Sequence, residues 1–96
     1  MSEPSFKRRL RERKRSITTT LEAQGYRVRT FDDGPFHLFA CRGKTARAIR
    51  ISFNAVCHSE SELVKREAVP ERCLREIWAV SADGRDVNVL RIGGER

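Results

Sequence analysis

The stretch Gly34–Ser52, GPFHLFACRGKTARAIRIS, decides how the chain is read. Two alternating apolar segments, Phe36–Cys41 and Ala46–Phe53, flank the turn-forming Arg42-Gly43-Lys44, which is the pattern of a β-hairpin. Strand alternation predicts Phe36, Leu38 and Ala40 on one face of the first strand, with His37, Phe39 and Cys41 on the other. On the second strand, Ile49, Ile51 and Phe53 share a face, and Ala46, Ala48, Arg50 and Ser52 lie opposite. Every charged group in the hairpin is basic. No Asp or Glu occurs between Gly34 and Ser59, although the chain holds 13 acids.

Working outward, Phe6, Leu10, Ile17 and Leu21 fall in one arc at helical spacing and predict an amphipathic first helix. Ser5 or Ser2 is the expected cap, Pro4 belongs near the first turn, and Gly25 supplies the stop. Lys7, Arg8, Arg11, Lys14 and Arg15 project away from the apolar arc as a basic face, whereas Arg13 falls beside the arc and needs a partner. Residues 1–15 carry a net +5 of the chain's +7, and Thr18-Thr19-Thr20 is a poor helix stretch, so fraying is expected at the helix start. Tyr26–Phe31 alternates as a half-exposed strand, and Asp32-Asp33-Gly34-Pro35 is a turn. After the hairpin, Ser59 and Glu62 have the form of a capping box opening a second helix that stops before Pro70. Arg75–Val80 reads as a short buried strand, Asp83-Gly84 as a turn, and Val87–Ile92 as a last strand. The predicted order is αβββαββ. The expected architecture is a single small α/β domain over residues 1–96, with a mixed central sheet of four to five strands between two helices.

Ninety-six residues suffice for one modest core, and 39% hydrophobic with 34% charged residues excludes a disordered chain. No apolar run approaches a membrane span, and the basic N-terminus lacks the apolar region of a signal peptide, so a cytoplasmic location is expected. Cys41, Cys57 and Cys73 are odd in number and form no CxxC, which predicts free thiols rather than a disulfide framework or a metal site. No P-loop, dinucleotide fingerprint or nucleophile-elbow motif is present. A basic block on one element is the footprint of a polyanion, here nucleic acid and in particular DNA.

Three local features, taken with the element order, carry a resemblance. They are the helix ending in Gly25-Tyr26-Arg27-Val28, the run Gly34–Ala40, and the strand Ala48-Ile49-Arg50-Ile51-Ser52. With Pro70 preceding Arg75-Glu76-Ile77-Trp78, they make the chain resemble the PD-(D/E)XK nuclease superfamily, in its small, Holliday-junction-resolvase-like form. The resemblance implies a restriction-endonuclease-like core in which an Asp opens the second strand and an acid and a Lys stand two apart on the third. Those acids hold Mg²⁺ against the scissile phosphate. Here the three positions fall on His37, Arg50 and Ser52.

An arginine repels Mg²⁺, and histidine suits softer metals, so the expected domain is a pseudoenzyme that needs no cofactor. Its expected nucleic-acid contacts are Lys7, Arg8, Arg11, Lys14 and Arg15 on the helix, and Lys44, Arg47 and Arg50 on the hairpin. The competing expectation for Arg50 is an ion pair with a carboxylate such as Glu22. Two other functions stay open at this point. One is an active metal-dependent nuclease with acids imported from Glu22, Glu60 or Glu62. The other is an interaction module, for instance a homodimer, pairing through Val87–Ile92.

Overall fold

The computed structural model describes residues 3–53, 56, 58–81 and 83–92, with side chains from Phe6 onward. The element order is α1 (Glu3–Ala23), β1 (Arg27–Thr30), β2 (Leu38–Arg42), β3 (Thr45–Ser52), α2 (His58–Arg66), β4 (Cys73–Val80) and β5 (Val87–Arg91). This is the predicted αβββαββ arrangement, with five strands. They lie in sequence order across one mixed sheet, antiparallel throughout except at the parallel β3–β4 joint. The parallel joint follows from the connection: for β4 to run in the same direction as β3 the chain must cross back to the end where β3 began, and α2 lies in that crossover.

α1 packs on one face over β1, β2 and β3, while α2 lies on the other face over β4. Beneath α1 are Ile17, Leu21, Tyr26, Leu38, Ala40, Ile49, Ile51 and Val80; beneath α2 are Phe36, Ala48, Val64 and Ile77. Each helix therefore covers part of one face, and the sheet is left open beside it.

The end of α1 is set by Gly25, whose φ is +94°. Tyr26 N–H donates to the Leu21 carbonyl and Gly25 N–H to that of Glu22, both at 3.0 Å, the paired bonds of a Schellman motif. Pro4 lies in the first turn; the Ser2 cap lies outside the described residues, as does the side chain of Ser5. Arg13, left without a partner by the sequence pattern, donates from Nη2 to the Gly84 carbonyl at 2.9 Å. Phe6 is 55% exposed rather than buried; it meets Phe53 edge-on with ring centres 6.0 Å apart.

Two local expectations are corrected. Phe36 does not share a face with Leu38 and Ala40: it packs with Ala48 and Val64 under α2. β2 begins at Leu38, so alternation does not extend back to Phe36. Ser59 is not the cap of α2 either, because the helix already starts at His58 and Ser59 lies in its first turn. Cys57 lies outside the described residues; Cys41 and Cys73 are free thiols.

Candidate nucleic-acid interface

His37 stands at the entrance to β2, whose ladder ends at the Leu38–Ile49 pair and leaves Arg50, Ile51 and Ser52 of β3 beyond it. Its own N–H donates to the Ile49 carbonyl at 2.8 Å, and its Nδ1 accepts the Ile51 N–H at 2.8 Å. The imidazole thus takes the place of a missing strand partner and must present an unprotonated Nδ1. Burial, then the positive charges of Arg50 and Lys14, push the His37 pKa down to about 4, with Glu60 opposing them. The side chain is neutral at physiological pH and structural in its role.

Arg50 and Ser52 do converge beside it, held by a carboxylate from α2. Arg50 Nε lies 2.7 Å from Glu60 Oε2, Ser52 Oγ lies 3.2 Å from Glu60 Oε1, and Arg50 Nη1 donates to the Pro35 carbonyl at 2.9 Å. The partner of Arg50 is Glu60, not Glu22. Because Glu60 sits in the first turn of α2, the crossover helix lowers it onto the end of β3. One carboxylate neutralised by a guanidinium is a poor donor set for Mg²⁺, which needs several oxygen ligands. Among the described residues, no three His, Cys, Asp or Glu side chains gather closely enough to hold a metal ion.

The remaining basic residues divide. Lys7, Arg8, Arg11 and Arg15 are exposed on α1, and no described carboxylate pairs with them. Lys14 is largely covered; its Nζ donates to the Phe31 carbonyl at 2.8 Å and lies 3.7 Å from Asp32. Lys7, Arg11 and Lys14 line an open cleft of about 410 Å³ with Phe6, Leu10, Asp32 and His37. Lys44 is exposed at the hairpin turn, roughly 20 Å along β3 from Arg50 at about 3.3 Å per residue. Arg47 faces the other way.

On that opposite face Arg47 belongs to a polar cluster that the apolar look of Arg75–Val80 concealed. Glu76 is fully buried there, accepting from Arg47 Nε at 3.0 Å, Trp78 Nε1 at 3.0 Å and Arg91 Nε at 3.3 Å. Arg47 Nη2 closes the pair at 2.9 Å, and its guanidinium carbon lies 5.4 Å from the Tyr26 ring centre and 5.5 Å from that of Trp78. Burial disfavours the Arg47 charge, but the Glu76 hydrogen bond and charge outweigh it and raise its pKa. The strand period could have flagged Glu76, since it shares a face with Trp78 and Val80. Its partners depend on the β3–β4 register, which no local pattern fixes.

No protein-family model matches the chain, and no curated protein matches it. No helix among the described residues is long and apolar enough to cross a membrane.

Proposed function

We propose that this chain is a non-catalytic nucleic-acid-binding domain, a nuclease-like core of PD-(D/E)XK type whose acidic positions have been replaced. The observation that carries the reading is the cleft between α1 and the β1–β2 connection, where Lys7, Arg11 and Lys14 meet His37. Arg8 and Arg15 extend the same positive face along the helix. Phosphates seated there meet Lys7 and Arg11, exposed cations with which no described acid pairs, beside a Lys14 that Asp32 partly neutralises; such contacts give binding that is largely sequence-independent and salt-sensitive. Arg50, held by Glu60 and the Pro35 carbonyl, does not line this cleft.

The test is a titration of labelled duplex DNA at several salt concentrations, with the wild type and the Arg8→Ala/Arg11→Ala/Arg15→Ala variant. The variant is expected to bind at least tenfold more weakly at low salt, with the slope of log K against log salt shallower by about 2 to 3. Unchanged affinity and slope would remove the helix from the interface. Incubation of plasmid and branched DNA with Mg²⁺ or Mn²⁺ addresses catalysis directly: cleavage that disappears in Glu60→Gln would replace the non-catalytic reading with a nuclease.

A second reading, an interaction module, is favoured by β5. Every residue of that strand is exposed, including Val87, Val89 and Leu90, and its only sheet partner among the described residues is β4. Sedimentation that depends on protein concentration, with no nucleic-acid affinity at low salt, would select it.

A further inference from the structure

The face of β1 and β2 turned away from α1 is the part of the sheet that α2 leaves open. Register places Arg29, Phe39 and Ala48 in one row across the strands, and Arg27, Cys41 and Ala46 in the next. The alanines keep the floor low beside Phe39. Both arginines are exposed, and they stand two residues apart on one strand face, roughly 7 Å from each other. That separation is comparable with the step between phosphates in an extended single strand.

Phe31, 37% exposed, and Phe39 line this basic surface and also an adjoining slot of about 280 Å³. The slot is walled by Pro35, Phe36, Val69 and Pro70, an almost wholly apolar set. Asp33 and Glu67 are the acids on its rim. The hairpin beneath contributes none, so the acid-free stretch from Gly34 to Ser59 acquires a location.

An apolar, aromatic-walled slot beside two exposed guanidiniums is chemistry for a planar base with a phosphate on its flank. A duplex cannot supply that base, because its bases are stacked and paired within the helix. We propose that this face binds single-stranded nucleic acid, with an unpaired base against Phe31 and Phe39 and the flanking phosphates on Arg27 and Arg29. The inference rests on the nucleic-acid reading above and names a strand state and a second surface for it, on the opposite side of the sheet from α1.

The experiment compares fluorescence anisotropy titrations of a twelve-nucleotide oligo(dT), an oligo(rU) of the same length and a blunt duplex with the same number of phosphates. Two variants are used, Phe31→Ala and Arg27→Ala/Arg29→Ala; both remove exposed side chains, so folding is preserved. Each is expected to weaken single-strand binding by about tenfold and to leave duplex binding within about twofold. Single-strand binding unchanged in both variants, with duplex binding intact, overturns this site and leaves the nucleic-acid reading standing. Failure of the wild type to bind any of the three ligands at low salt overturns that reading and this one with it.

Discussion

Glu76 accepts more hydrogen bonds than any other described side chain, and it does so with no solvent exposure. Removing it leaves the Arg47 guanidinium, whose side chain is only 15% exposed, without its counter-charge. Glu76→Ala is therefore expected to destabilise the fold by about 3 to 5 kcal/mol, and Glu76→Gln by less. Urea unfolding followed through Trp78, the single tryptophan and itself a donor to Glu76, reads the change. A loss below about 1 kcal/mol for the alanine variant would contradict the account. His37 makes a pH prediction. Unfolded, the imidazole takes up a proton near 6.5; folded, it stays neutral until about 4. The unfolded state thus binds more protons between these values, so stability is complete above 6.5 and falls as pH drops toward 4. Discounted for solvent screening of a half-buried group, the loss amounts to about 1 to 2 kcal/mol. Denaturation midpoints at pH 7 and 4.5 measure it. In His37→Asn, whose amide oxygen can still accept the Ile51 N–H, that part of the pH dependence should vanish.

Among the elements, α1 and β5 depart most from simple burial. α1 runs from Glu3 to Ala23, yet among its described side chains Ile17 and Leu21 are the only buried ones. Its first half is fastened by edge contacts: Phe6 and Arg9 on the Phe53 ring, Arg13 on Gly84, and Lys14 on Phe31. A helix so fastened can carry an unpaired basic face without a carboxylate facing it. Among the described residues, β5 has β4 as its one sheet neighbour. Val89 is 45% exposed, so Val89→Lys should change the unfolding free energy by less than about 0.5 kcal/mol. The same lysine on a free sheet edge should suppress any concentration-dependent self-association, which sedimentation velocity reads. The elements themselves were legible from alternation, helical spacing and turn residues, all local signals. Their ends were less so. β4 starts at Cys73, two residues earlier than its apolar run suggests, because the full length of β3 is there to pair with.

For the molecule as a whole, the sequence pattern foretells two helices and a mixed sheet, and the convergence of His37, Arg50 and Ser52 follows from it. The choice of Glu60 over Glu22 for Arg50, and of Glu76 for Arg47, does not. Both pairings are decided by where α2 and β4 dock, across separations that no window of a few residues spans. The open face of β1 and β2 was hidden for a related reason: Arg27, Arg29 and Phe39 become neighbours only once the β1–β2 register is set. The parallel β3–β4 joint has a further consequence, for the order of assembly. Everything before it, from α1 through the β1–β2–β3 meander, is linked by short connections with modest loop-closure entropy, whereas β4 reaches its place only after residues 53–72 have looped back. Contacts of high sequence separation form slowly. Closure of the β3–β4 joint is accordingly the expected slow step of folding, and during synthesis the basic helix and acid-free hairpin emerge before β4 exists to complete the sheet.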